Sequence, residues 1–182
     1  MNQNKLNILT ALVLILSAAV LKVSTFPHSV NPIIAISLFS GAIIKDRKFA
    51  FAMPLVAMFA SDILLEAFNI APGFYGMGQI GNYASLLFIT VLGFTMKKTN
   101  LLHITGYSIV SSLLFFVLSN TNCFFFDFDY TYGHGLSGWA NCLAAGIPFV
   151  KNSVITDLCF STVIFTTYAF AIKYANRKAI AQ

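Results

Sequence analysis

Charge is what this sequence has least of. Lysine, arginine, aspartate and glutamate together make up 9% of its 182 residues, against roughly 25% in a soluble domain. Most of its surface is therefore not built for water. Cysteine is also sparse: Cys123, Cys142 and Cys159 form no CxxC pair, which leaves a zinc or disulfide framework unsupported and small apolar packing as their reading. There is no P-loop, no HExxH, no Ser–His–Asp ordering and no catalytic carboxylate pair. An enzyme is not expected, nor a cofactor. A metal needs three or four converging ligands, and the spacing of His28, His134 and Cys123 shows no such set. Gly76-x-Gly78-x-x-Gly81 matches a dinucleotide fingerprint as a string, but it follows no strand, so these glycines read as turn formers. No stripe of basic and aromatic residues of the nucleic-acid kind is present, which argues against a nucleic-acid partner.

What is abundant is apolar sequence. Hydrophobic residues make up 58% of the chain and the mean hydropathy is +0.79. A helix rises ~1.5 Å per residue, so about 20 residues cross ~30 Å of hydrocarbon. The apolar runs predict six spans over approximately 8–24, 31–44, 49–68, 82–96, 101–119 and 150–168, with a half-polar stretch at 136–149. The fold class is thus an all-α membrane protein, a six-helix bundle in one domain over 1–182. The first run continues past its small residues to Lys22 and shows no small-x-small cleavage site. It reads as a retained span and not as a cleaved leader.

Six spans with the N-terminus inside place Lys5, Lys45, Arg47, Lys48, Lys97, Lys98, Lys173, Arg177 and Lys178 on the cytoplasmic side. That is nine of the 11 basic residues, the asymmetry that the positive-inside rule demands. The expected orientation has both termini cytoplasmic, with the bilayer as partner. Three connections then lie outside, Thr25–Val30, Asn69–Gly81 and Asn120–Gly135. The last is rich in aromatics, which suit either an interfacial belt or a lid over a site. Ser37-x-x-x-Gly41 fits a small-xxx-small helix contact, and His103 suits a capping or interfacial role.

Two spans, 31–44 and 82–96, are short, and short or interrupted spans in a transporter-like bundle point toward a binding site. Counting from the basic anchors puts Lys22, Asn31, Asp62, Asn82 and Asp157 14–17 residues away, roughly 21–26 Å above the inner boundary. Charged groups at such depth cost about 2.5–3.5 kcal/mol each on insertion scales, so they turn inward and find partners. Lys22 is expected to pair with Asp62 or Asp157, with Glu66 one turn further out. These side chains suit either a ligand site or simple helix-to-helix glue.

Several motifs also have a family look. They are Pro27-His28-x-x-Asn31-Pro32, Ser37-Leu38-Phe39-x-Gly41, Pro54 with Ser61-Asp62, Phe115-Phe116-x-x-Ser119-Asn120, and Ala144-Ala145-x-Ile147-Pro148-Phe149-x-x-Asn152-x-x-x-x-Asp157. Together, over about residues 20–165, they resemble an uncharacterised family of bacterial membrane proteins. That family is similar to the substrate-binding S components of energy-coupling factor (ECF) vitamin transporters. The resemblance implies a six-helix bundle in a bacterial cytoplasmic (inner) membrane that captures a small micronutrient from outside and docks on a membrane coupling subunit driven by two cytoplasmic ATPases. S components often dock through Ala-x-x-x-Ala on the first helix; here Ala11 and Ala18 stand seven apart. Combined with the depth count, it gives a substrate-binding set of His28, Asn31, Asp62, Asn82, Asn120, Trp139, Asn152 and Asp157. The alternative is a structural or assembly protein whose polar layer only holds helices together.

Overall fold

The computed structural model describes residues 32–126 and 129–180, together with 13, 14, 16, 17, 20–22 and 24, and these last eight are helical. The predicted first span and the loop after it lie partly or wholly outside the described residues. Five bounded helices follow: α1 (Ile33–Ile43), α2 (Arg47–Ala67), α3 (Met77–Phe94), α4 (Leu101–Phe125) and α5 (Gly135–Ile180). No strand occurs among the described residues. Four helices are long and apolar enough to cross a membrane, covering Arg47–Ala67, Met77–Phe94, Leu101–Phe125 and Gly135–Tyr174. In α4, with a mean hydropathy of 1.9, only 22% of the apolar window is buried. Outward-facing Val110, Leu113 and Val117 make sense against lipid, where apolar surface needs no cover.

Local chemistry explains the helix boundaries. Asp46 caps α2 by accepting from the backbone N–H of Lys48 (2.9 Å) and Phe49 (3.3 Å), and Asn100 caps α4 by accepting from that of His103 (3.1 Å). Both caps fill orphan donors of a first turn. Gly76 opens α3 at φ 75°, a backbone state that costs glycine little.

The short α1 is the hub. Every residue from Ile33 to Gly41 is buried, and α1 packs on α2, α3, α4 and α5. Gly41 and Gly93 face each other: a methyl at Gly41 would sit 2.1 Å from the carbonyl oxygen of Thr90, and one at Gly93 2.6 Å from that of Leu38. Two backbones can come this close only where side chains are missing. Phe39 then stacks edge-on against Phe165 (5.2 Å) and Tyr168 (5.1 Å) of α5.

Three expected boundaries are corrected. The short span 82–96 is instead an 18-residue helix that starts at Met77. Its glycine-rich start is helical because Gly81 lies against Asn122 of α4, whose Nδ2 donates to the Gly78 carbonyl (2.6 Å); packing outweighs glycine's poor propensity. The connection expected from Asn120 begins later, since α4 runs on through Phe125. The half-polar stretch 136–149 and the span 150–168 are one helix of 46 residues with Pro148 inside.

Contacts between α4 and α5 show that this long helix is bowed. Near one end Trp139 Nε1 donates to Thr121 Oγ1 (2.9 Å) and Cys142 Sγ to the Asn120 carbonyl (3.3 Å). Further along, Asp157 meets Ser112 and Ser161 meets Ser108. From Asn120 to Ser112 α4 rises ~12 Å, whereas from Cys142 to Asp157 α5 rises ~22 Å. The surplus is taken up beyond Gly146, which still packs on Phe116 and Asn120, by a stretch that leans out of the bundle: 147–149, 151 and 152 are all exposed. Pro148 lies near its start, and an interior proline bends a helix by removing one hydrogen bond.

Candidate functional site

Two buried acids, Asp62 and Asp157, each centre a polar cluster. In the first, Asp62 of α2 is 1% exposed. Its Oδ1 receives Lys22 Nζ at 2.5 Å, and Lys22 also reaches Met58 Sδ (3.5 Å). Its Oδ2 accepts from Gln79 Nε2 (2.8 Å) and from the Tyr83 hydroxyl (2.7 Å), both on α3. Gln79 spends its second N–H on the Gly73 carbonyl (3.0 Å). The connection between α2 and α3 is thereby tied over the carboxylate. A methyl at Gly73 would sit 2.0 Å from the Asp62 carbonyl oxygen. Glu66 is exposed and holds the same connection from outside, accepting from the Gly73 backbone N–H (2.8 Å). Three donors, one of them charged, satisfy Asp62.

Asn82 lies beside this cluster. Its Nδ2 donates to the Tyr75 hydroxyl (2.9 Å), while its Oδ1 is buried with no hydrogen-bond partner among the described residues. Tyr75 sits in the connection 68–76, and its hydroxyl is pushed above the usual 10.0. Burial is the main cause; the Asn82 hydrogen bond works against the rise, and the charge on Asp62 adds to it.

The second cluster surrounds Asp157 of α5, 2% exposed. Ser112 Oγ stands 2.6 Å from its Oδ2, and Ser161 Oγ donates to Ser108 Oγ (3.2 Å) one turn away. Helix register places this cluster deeper than the first. Arg47 lies over the Phe94 ring at 5.6 Å, so the start of α2 and the end of α3 share one end of the bundle. The pairs Gly78–Asn122 and Thr95–Tyr107 then set Ser112 opposite residues 88–91 of α3. Asp62 sits opposite 79–83. The offset is about eight residues, ~12 Å toward the basic end.

The expected single layer is therefore two. The depth count misplaced Asp157 because it assumed that the basic anchors are level. Thr95 stands beside Tyr107, so α4 starts about two turns beyond the end of α3. Lys173 lies at that far level, lining a cleft with Thr99 and Leu101.

The other expected site residues fall elsewhere. His28 and Asn31 lie outside the described residues. Asn120 is in α4, not in a loop; its Nδ2 donates to the Phe116 carbonyl (2.8 Å), and Gly146 of α5 packs against its side chain. Trp139 is held by Thr121, so both serve the α4–α5 contact. Asn152 is exposed on the bow of α5. Gln79, Tyr83, Tyr75 and Ser112 were not foreseen. Gln79 and Tyr83 stand i, i+4, one helical face, and starting α3 five residues earlier would have revealed them. No group of three or more metal-ligating side chains is present among the described residues.

A family model described as "Family of unknown function (DUF6580)" matches residues 2–180. No curated protein and no solved structure matches the chain.

Proposed function

This chain belongs to the DUF6580 family, and from that premise we propose that it is the substrate-binding membrane subunit of an uptake transporter for a small, vitamin-like micronutrient. The observation that carries the reading is the buried Oδ1 of Asn82, unpartnered among the described residues. Buried acceptors in native proteins have partners, and a ligand N–H or O–H would complete this one. Beside it stand the Tyr75 hydroxyl and the rigid Lys22–Asp62–Gln79–Tyr83 cluster, the kind of preset polar wall that fixes a ligand's orientation. In this reading the chain has six spans and an S-component-like topology, with both termini in the cytoplasm of a bacterial inner membrane. The Asn82 end faces out. A membrane coupling subunit with two ATPases is the corresponding partner.

One observation favours a second reading. Asp62 already has three donors, so its cluster also suits a purely structural tie between α2, α3 and the N-terminal helix. Mass spectrometry of small molecules released from gently purified protein separates the two. A reproducible metabolite that is lost in Asn82→Ala and Tyr75→Phe, while the protein still inserts, supports the transporter reading. Repeated absence of any bound molecule, or retention in both variants, favours the structural one.

A further inference from the structure

The two buried aspartates are provided for in opposite ways. Asp62 has a lysine, an amide and a phenol. Asp157 has, among the described residues, a single hydroxyl, Ser112 Oγ at 2.6 Å. No cation and no backbone N–H reaches it there. Among the described residues the surrounding elements supply no titratable partner either. Helix α1 carries none in its sequence. On α4, Tyr107 is bonded to Thr95 and His103 to Asn100, and Cys123 stands three turns away near the other end. On α5 itself Cys159 is exposed, Tyr168 packs on Phe39 about three turns away, and Lys151 and Lys173 lie about two and four turns off. Lys22 is bound to Asp62.

Burial without a counter-charge decides the state of this group. Ser112 Oγ is 2.6 Å from Asp157 Oδ2 and also 3.0 Å from the Ser108 carbonyl oxygen. A serine hydroxyl has one proton to give. The Ser108 carbonyl, inside α4, has the Ser112 backbone N–H in either case, so an ionised Asp157 would leave a buried charge with one neutral donor and no counter-charge among the described residues. If Asp157 carries the proton, the account closes: its O–H donates to Ser112 Oγ, and the Ser112 O–H donates to the Ser108 carbonyl. We propose that Asp157 is a proton-binding site, distinct from the Asp62 cluster, that holds its proton as a neutral acid in this conformation.

The site lies midway along α4 and directly below the bow of α5. A change in that bow moves Asp157 against Ser112, breaks the relay and exposes the acid, so proton binding and release are tied to the position of α5. Hydroxyls of Ser161 and Ser108 extend the polar line one turn toward the basic end. This inference does not depend on Asn82 or Asp62 touching a ligand.

The test is infrared spectroscopy of the full chain in liposomes at neutral pH, in light and heavy water. A protonated-carboxyl C=O stretch that shifts on deuteration is expected. It should vanish in Asp157→Asn, persist in Asp62→Asn, and shift in Ser112→Ala, which loses the acceptor of its hydrogen bond. A carboxamide matches the neutral acid in shape, so the thermal midpoint of Asp157→Asn should stay near that of the parent. Should that variant not fold, Ser112→Ala carries the test alone. No such band, a band untouched by Asp157→Asn or by Ser112→Ala, or a band that appears only when sodium is withdrawn would each overturn the assignment, the last by showing a metal cation in the proton's place.

Discussion

Single side chains here are tied by charge where charge is unavoidable. Lys22 and Asp62 each interrupt an apolar run, so the need for a partner is legible in the sequence; which acid Lys22 takes is not, because that depends on helix register. Removing one member of a buried pair leaves the other uncompensated. Asp62→Asn is expected to lower stability by about 3 kcal/mol, and adding Lys22→Met should restore part of the loss. A double-mutant cycle by denaturant unfolding in detergent checks both, and strict additivity would contradict the pairing. Tyr75 gives a pH dependence. Its hydroxyl is held above 10.0 in the folded chain, so the unfolded chain loses that proton first. The contribution is complete below pH 10 and is lost as pH rises through the folded value. Tyr75→Phe should remove a late-titrating component of the phenolate absorbance curve and lessen the alkaline fall in stability.

At the scale of helices, close approach and curvature decide the packing. Gly41→Ala forces a methyl to within 2.1 Å of the Thr90 carbonyl oxygen, an overpacking expected to cost about 1–3 kcal/mol. Gly106→Ala meets nothing within 4 Å and is exposed on α4, so helix propensity predicts a gain of about 0.5–1 kcal/mol. Thermal unfolding of the two variants should move in opposite directions. The bow in α5 makes a different prediction. With spin labels at the exposed Leu136 and Phe170, Pro148→Ala should lengthen the pulsed-EPR distance as the helix straightens, and an unchanged distance would assign the bend to packing alone. Hydropathy located the middles of these helices well, because lipid-facing runs are uniformly apolar. It could not see that a proline-bearing half-polar stretch continues the same helix, nor that a glycine-rich one begins another. Both outcomes are set by neighbours: α4 accepts Gly81 and Gly146 closely, and a local reading of residues contains no neighbour.

For the whole molecule, the basic residues at the α1–α2 and α3–α4 turns and Lys173 gather at one end, around Arg47, Phe94 and Thr99. If that end is cytoplasmic, an impermeant thiol reagent on intact cells labels the exposed Cys123, while Lys97→Cys reacts only after permeabilisation. The reverse pattern would invert the orientation. The depth count failed at this scale for a related reason. It treated the basic end as a flat plane, whereas the α4–α5 hairpin projects about two turns beyond α3, and only contacts between helices reveal such a step. The brevity of α1 bears on how the protein is made. At 11 residues, ~17 Å, it is too short for the insertion machinery to partition into lipid by itself, and its serines Ser37 and Ser40 would meet hydrocarbon on the way. It must enter as the passenger of α2 and wait for α3 and α5 to enclose it. A chain halted before Met77 should leave a cysteine at position 37 open to modification, and the finished chain should hide it.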